Sequence, residues 1–204
     1  MNVPAVVAVA VATASFAITL SLRDSLDPWL TTAMAGAVAI ALSSWALRTK
    51  LRMLFATTPR GLLAAIGLGI VLVAATHATY RCVAALSAAV ADEVCTLYAS
   101  TSTRSARGAL AALTVLVVLA EELVWRGAAV AAVGDRGSRV RTGATITCLY
   151  AVPQALAGAW LLALVALGIG AIFATQRMIT GRITDSFITH AIWSVAIFVV
   201  VPLV

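Results

Sequence analysis

The sequence predicts an all-α protein, a polytopic transmembrane helix bundle of about seven spans. Its 204 residues are 62% hydrophobic and 11% charged, with a mean hydropathy of +1.05. A soluble domain is nearer half apolar and a quarter charged. The apolar residues also fall into runs of roughly 17–25, which are long enough to cross the hydrocarbon core as helices. We therefore expect lipid to be the solvent for much of the exterior.

The apolar runs follow one another along the whole chain. The predicted spans are 3–22, 29–47, 61–80, 109–133, 143–158, 159–175 and 186–204. The fifth and sixth runs are short for full spans. The alternative is that they form one hairpin split at Gly158, so the predicted number of spans is seven, give or take one. No basic residue precedes the first run, which favours a retained helix over a signal peptide.

The net charge of +6 is better explained by the topology of a membrane protein than by nucleic-acid binding. Nine basic residues lie in or beside the connections after spans two, four and six, against four in the others. The nine are Arg48, Lys50, Arg52, Arg60, Arg136, Arg139, Arg141, Arg177 and Arg182, and the four are Arg23, Arg81, Arg104 and Arg107. Cytoplasmic connections carry an excess of Lys and Arg. The pattern predicts a cytoplasmic N-terminus and an external C-terminus in the cell membrane.

The longest polar stretch, roughly 81–108, predicts a surface loop on the outer side, with a short amphipathic helix as an addition. Cys82 and Cys95 lie in this stretch, where a disulfide is one alternative and unpaired thiols are the favoured one. We divide the chain into residues 1–108, the N-terminal helices and external loop, and residues 109–204, which carry the candidate chemistry.

The fourth span contains two adjacent carboxylates about a dozen residues into an apolar helix. Ionisable groups inside a span are costly and are functional-site candidates by default. Glu122 and Arg126 are separated by four residues, so they share a helix face and can pair. Glu121 points about 100° away from that face and is free to meet another span, where a buried carboxylate suits a general base. The alternative is a structural Glu–Arg clamp between helices.

Polar residues on two later spans are candidates to meet Glu121. His190 and Ser194 lie one turn apart and project from one face. One interpretation is a donor pair for a developing oxyanion, and the alternative is a core histidine that bonds a backbone carbonyl. Pro153 can kink the fifth span, and Gln154 follows it as an uncharged polar group at depth. Counted from the connection at 134–141, Glu121 and Gln154 lie at similar depth in an antiparallel pair. We expect Glu121, Gln154 and His190 to line one cavity facing the cytoplasm.

These stretches resemble, in order, three motifs of the CPBP family of intramembrane proteases, which includes the CAAX prenyl endopeptidases and bacterial Abi proteins. Glu121, Glu122 and Arg126 match the first motif, Glu-Glu-x-x-x-Arg, in full. The second motif, Phe-x-x-x-His, is represented by Tyr150 and Gln154. The third, His-x-x-x-Asn or Asp, is represented by His190 and Ser194. The resemblance covers roughly residues 109–198.

The resemblance implies an endopeptidase that hydrolyses a peptide bond with glutamate-activated water. Carried over, Glu121 is the base, and His190 with Ser194 forms a weakened oxyanion pair. Glu122 and Arg126 are supporting structure. Gln154 stands where the family has histidine; it can orient a water but cannot take up a proton. No cofactor is expected, because glutamine is a poor metal ligand, and a divalent metal such as zinc is the alternative.

Three functions remain open from the sequence. The first is an intramembrane endopeptidase acting on a membrane-associated peptide, with the bilayer as its other partner and no nucleic acid. The second is a catalytically degenerate relative that binds membrane peptides or confers immunity, which the changes at Gln154 and Ser194 favour. The third is a small membrane transporter that uses Glu121 and Glu122 in a pore, although the chain shows no inverted repeat.

Overall fold

A computed structural model describes residues 2–23, 25–101, 107–134 and 138–204, and over these ranges it contains helices and no strand. The α-helices are α1 Val3–Ser21, α2 Pro28–Leu47, α3 Leu51–Leu54, α4 Pro59–Leu86, α5 Ala88–Thr101, α6 Arg107–Glu121, α7 Ala129–Val133, α8 Arg139–Leu156, α9 Trp160–Thr180 and α10 Ile183–Val195. π-Helical turns join α6 to α7 (Glu122–Ala128) and follow α10 (Ala196–Val200). The predicted all-α bundle is confirmed.

Capping residues set several helix ends. The Asn2 side chain accepts a hydrogen bond from the Ala5 backbone N–H at 3.2 Å, and Thr58 Oγ1 accepts one from Gly61 N at 3.1 Å. Such side chains satisfy backbone donors that have no partner within the helix. Helix α9 ends at Gly181, which has a φ of +71°. Glycine adopts this left-handed conformation without the penalty of a Cβ atom.

Six helices of the described chain are long and apolar enough to cross a membrane. They correspond to every predicted span except the fifth. That span forms α8, which is 18 residues long and carries several polar residues. Large apolar side chains cover the exterior of the bundle; Leu63, Leu164 and Leu86 are 70%, 67% and 87% exposed. Such a surface is stable in lipid and not in water, so the chain is an integral membrane protein.

The stretch 81–108 is largely helical, and its prediction as a surface loop is wrong. Helix α4 continues to Leu86, and α5 then covers the next 14 residues. Val94 and Tyr98 on α5 are buried one turn apart, and Tyr98 Oη donates a hydrogen bond to Ile197 O at 2.7 Å. One buried face stabilises this segment as a helix, as the alternative of a short amphipathic helix predicted. Residues 102–106, with Arg104, lie outside the described residues, as does Arg136.

Cys82 and Cys95 lie on different helices, α4 and α5. Both are exposed and unpaired, as is Cys148 on α8. The favoured prediction of unpaired thiols is confirmed, and the alternative disulfide is not formed.

The basic connections meet at one end of the bundle. A Cβ atom built on Gly61, at the start of α4, would lie 2.7 Å from Arg182 Nη2, at the start of α10. One built on Gly143, near the start of α8, would lie 3.5 Å from Met178 Cγ near the end of α9. The apolar side chains of Leu47, Leu54, Leu123 and Ile183 pack into one cluster at this end. We call it the basic end below.

Candidate active site

The two adjacent carboxylates lie at the junction between α6 and the following π-helical turn. Glu121 is the last residue of α6, and all seven residues from Glu122 to Ala128 are buried. A π-helical turn bonds residue i to i+5 and widens the helix locally, and such turns occur frequently at functional sites. Both carboxylates contact α10, so one histidine reaches each of them.

Glu122 is held by three partners. Its Oε1 lies 3.4 Å from Arg126 Nη1 and 2.9 Å from His190 Nδ1. Its Oε2 accepts a hydrogen bond from Ser186 Oγ at 2.5 Å. A buried charge is stable only when it is paired and hydrogen-bonded. The predicted Glu122–Arg126 pair is confirmed. Through its bonds to His190 and Ser186, Glu122 stabilises the packing of its own helical segment against α10.

Glu121 has fewer partners and lies beside a cavity. Its Oε2 accepts a hydrogen bond from Tyr150 Oη at 3.0 Å and lies 3.6 Å from His190 Nε2. His190 therefore lies between the two carboxylates, with one ring nitrogen toward each. If Glu122 is ionised and accepts from Nδ1, Nε2 is the nitrogen left to interact on the cavity side. Glu121 thus meets α8 and α10, as its position on the helix predicted.

Arg126 joins the site to α9 as well. Its Nη2 donates to Gly170 O at 3.3 Å, and its guanidinium carbon lies 4.5 Å from the Tyr150 ring centroid. Arg177 Nε donates to the backbone carbonyl of Arg126 at 2.9 Å. Hydrogen bonds and cation–π contacts offset the cost of burying a guanidinium. Arg126 therefore contacts both Glu122 and the Tyr150 ring, and it connects them to α9.

The cavity beside Glu121 has a volume of about 260 Å³. Glu121, Gln154 and His190 all line it, so the structure brings together the three residues expected at one cavity, and Ser194 lines it as well. Most of its remaining wall is apolar and comes from α1, α5, α6, α9 and α10, including Phe16, Leu20, Leu97, Val117, Leu162, Val165 and Phe198. Such a wall suits an apolar chain, with a few polar groups at one point for chemistry.

The cavity extends away from the basic end, so the prediction of a cytoplasmic basic end and the prediction of a cavity that faces the cytoplasm cannot both hold. Its lining comes from the C-terminal halves of α1, α8 and α10, from the N-terminal halves of α2 and α9, and from the middle of the span 107–133, between Thr114 and Trp125. These halves lie away from the basic end. The depth argument correctly placed Glu121 and Gln154 together. It did not determine direction, because equal distance from one connection does not say to which side a cavity extends.

Gln154 does not contact Glu121 through its amide. With its orientation assigned from hydrogen bonding, its side-chain nitrogen donates to Tyr150 O at 2.7 Å and to Ala151 O at 3.3 Å. Both acceptors belong to its own helix, where Pro153 cannot supply a backbone N–H. The donor that reaches Glu121 from α8 is the Tyr150 hydroxyl, one turn earlier.

The donor set fits a catalytic metal poorly. Among the described residues, no group of three His, Cys, Asp or Glu side chains is arranged to hold a metal ion. A catalytic zinc site takes three protein ligands, whereas Glu122 and His190 Nδ1 are already bonded to each other. His190 Nε2 and Glu121 remain, and Gln154 does not complete the set.

Three side chains were not assigned a role at the site by the sequence. Tyr150 stands where the family motif has phenylalanine, and the hydroxyl that distinguishes it donates a hydrogen bond to Glu121. Ser186, four residues before His190, shares its helix face and could have been found by that spacing. Phe173, whose ring stacks on His190 with centroids 4.3 Å apart, had no signal beyond its apolar character.

Residues 103–196 match the family model described as type II CAAX prenyl endopeptidase Rce1-like. This match confirms the resemblance to the CPBP family, and the matched segment contains all six candidate residues, namely Glu121, Glu122, Arg126, Gln154, His190 and Ser194. This part of the chain is therefore similar to a family of membrane proteases. No curated protein and no solved structure shows significant similarity to the chain.

Proposed function

We propose that this protein is an intramembrane endopeptidase that hydrolyses a peptide bond of a membrane-associated peptide with water activated by Glu121. The observation that carries the proposal is the position of Glu121. It lies on the wall of a largely apolar cavity inside the bundle, bonded to Tyr150 and facing His190. The neighbouring Glu122 is fully buried and bonded elsewhere, so Glu121 is the carboxylate available to a water in the cavity.

In the proposed reaction, Glu121 takes a proton from water as the water oxygen attacks the scissile carbonyl carbon. A C–O bond forms, and the carbonyl oxygen becomes an oxyanion. The Ser194 hydroxyl is a donor offered to that oxygen, on the face of α10 that also carries His190. Because Nδ1 donates to Glu122, His190 Nε2 is a second donor only when the ring carries a proton on both nitrogens. The C–N bond then breaks, and Glu121 returns its proton to the leaving nitrogen, as one carboxylate serving as base and then acid.

The positions of the supporting residues follow from their contacts. Tyr150 fixes the orientation of the Glu121 carboxylate, and Glu122 holds His190 in place through Nδ1. Arg126 balances the charge of Glu122. A general base must be held within hydrogen-bond reach of its water, and this network supplies that rigidity from three helices.

We further propose that the reaction needs no metal, because the donors beside Glu121 do not form a three-ligand set. The measurement is cleavage in the presence of EDTA or 1,10-phenanthroline. Unchanged rates are expected, and loss of cleavage that added zinc restores would contradict this part of the proposal while leaving Glu121 as the base.

The position of Gln154 favours one other candidate, a non-catalytic relative that binds a membrane peptide in the same cavity. The side-chain amide of Gln154 donates to backbone carbonyls of its own helix and offers no basic group to the cavity. Transport has no comparable support, since the apolar cluster Leu47, Leu54, Leu123 and Ile183 fills the bundle at the basic end.

Cleavage of a hydrophobic peptide library by the protein in lipid nanodiscs separates the two candidates. Glu121→Gln keeps the size of the side chain and an oxygen that accepts from Tyr150, but it is not a base. We expect its cleavage rate to fall about 100-fold or more, the contribution typical of general acid–base catalysis. Glu93→Gln, the same change on the exposed surface of α5, is the matched control and should cleave like the wild type.

Two outcomes would contradict the endopeptidase. One is equal cleavage by wild type and Glu121→Gln. The other is no cleavage by the wild type when a relative with all three motifs intact is active in the same assay, and peptide binding without turnover would then support the non-catalytic candidate.

A further inference from the structure

Over the described residues, the basic end of the bundle is closed by packed side chains. Leu47, Leu54, Leu123 and Ile183 fill it with packed apolar side chains. Gly127 packs there so tightly that an added Cβ atom would lie 2.6 Å from Leu47 Cδ1. The π-helical turn that follows Glu121 is buried over its whole length. Across the part of the chain that the structure describes, packed side chains therefore lie between Glu121 and the basic end.

The opposite end carries the rim of the cavity. Arg23, in the connection between α1 and α2, is exposed and lines it. Leu97 on α5 and Phe198 after α10 line it at the same end. Hydrogen bonds place these elements together: Tyr98 Oη donates to Ile197 O at 2.7 Å, and His77 Nε2 lies 3.0 Å from Val201 O. The cavity runs from Glu121 toward this end.

The distribution of Lys and Arg relates the two ends to the membrane. Of the described basic residues, eight belong to the connections at the closed end and three to those at the open end. Cytoplasmic connections are enriched in Lys and Arg. The closed end is thus assigned to the cytoplasm and the rim of the cavity to the outside.

We propose that the cavity is entered from the extracytoplasmic side, and that its substrate is an apolar peptide segment presented at the outer face of the membrane. The substrate class rests on the proposed function, since it assumes that Glu121 attacks what the cavity holds. The entry side rests only on the fold and the charge distribution. The apolar wall accepts aliphatic and aromatic side chains, and the carbonyl to be attacked meets Glu121 at the inner end.

Cysteine accessibility tests the entry side in the full-length protein in intact cells. The native residues Cys82, Cys95 and Cys148 are replaced with alanine, and single cysteines are introduced as Arg23→Cys at the rim, Gln154→Cys on the cavity wall and Thr57→Cys in an exposed connection at the basic end. The probe is a small, charged, membrane-impermeant methanethiosulfonate, applied before and after permeabilisation. Monodispersity in detergent shows that each variant has folded.

We expect Arg23→Cys and Gln154→Cys to react in intact cells, and Thr57→Cys to react only after permeabilisation. The reverse labelling of Arg23→Cys and Thr57→Cys would overturn the orientation. The entry route would be overturned by a different result. In that result Arg23→Cys and Thr57→Cys label as expected, but Gln154→Cys reacts only from the cytoplasmic side. Labelling requires no turnover, so failure of the protease proposal and failure of this one are distinguishable.

The substrate class has its own test in membrane vesicles of the two orientations. A hydrophobic peptide that the purified protein cleaves is added outside right-side-out and inside-out vesicles. Cleavage that is faster in right-side-out vesicles supports the proposal, and cleavage that is faster in inside-out vesicles overturns it.

Discussion

The Tyr150 hydroxyl donates a hydrogen bond of 3.0 Å to Glu121 Oε2, which links the second sequence motif to the first. The family's histidine position in that motif is occupied by Gln154, whose amide bonds its own helix instead. A contact from α8 to the candidate base is thus retained, but one turn earlier along the helix. Through its ring, Tyr150 also contacts Arg126, so one side chain touches the base and its supporting cation.

Tyr150→Phe tests the hydroxyl alone. Phenylalanine keeps the ring against Arg126 and removes the donor to Glu121. A hydrogen bond to a charged group contributes about 1.5–3 kcal/mol, so we expect cleavage to fall by about tenfold or more with little loss of stability. The measurement is the steady-state rate in nanodiscs beside thermal unfolding.

Tyr80→Phe is the control for that change, because Tyr80 packs against another part of the core and does not line the cavity. An unchanged rate in Tyr150→Phe would show that Glu121 needs no positioning from α8.

Gly170 is expected to be essential for the packing of this site. A Cβ atom there would lie 2.7 Å from Tyr150 Cδ1 and 3.5 Å from Arg126 Nη2. Overpacking of this kind costs about 1–3 kcal/mol, and the shift of Tyr150 would also weaken its bond to Glu121. We expect Gly170→Ala to lower both the unfolding temperature and the cleavage rate.

Gly168→Ala, on the same helix, is the matched control, because nothing lies within 4 Å of its added Cβ atom. Alanine is favoured over glycine inside a helix, so this variant should be as stable as the wild type or slightly more so. Equal behaviour of the two variants would contradict the close packing of α8 on α9.

The sequence predicted the bundle and the first motif because both depend on local composition and spacing. An apolar run of sufficient length predicts a span, and the i, i+4 spacing of Glu122 and Arg126 predicts a pair. The contacts of Tyr150 and Ser186 depend on how α8 and α10 rotate against α6, which spacing within one helix does not determine. Helix α5 was predicted only as a short amphipathic addition to a surface loop, because its polar residues outweigh the two buried side chains, Val94 and Tyr98, that pack it against the bundle.

Arg126→Met tests the buried ion pair. It removes the partner of Glu122 and leaves a carboxylate at 0% exposure without its cation. Breaking a buried pair in this way costs about 3–5 kcal/mol. We expect a large loss of stability in detergent or nanodiscs, measured by thermal or chemical unfolding, and partial recovery in the double variant Arg126→Met with Glu122→Gln.

Arg141→Met, at an exposed position on α8, controls for the loss of a positive charge and should unfold like the wild type. A stability loss in Arg126→Met below about 1 kcal/mol, the range of exposed pairs, would argue against the buried pair.

Gln154→His tests whether the change in the second motif limits the reaction. Histidine adds a group able to exchange a proton near neutral pH on a wall of the cavity that Glu121 also lines. If Glu121 and Tyr150 already form a working site, the substitution should raise the cleavage rate. We expect a rise of about tenfold, because one added hydrogen bond in the transition state lowers the barrier by about that factor. Gln154→Ala should leave the rate close to that of the wild type, because the native amide bonds only its own helix. A large loss in Gln154→Ala would instead show that the amide of Gln154 positions the water, and that α8 contributes to the reaction through this amide as well as through the Tyr150 hydroxyl.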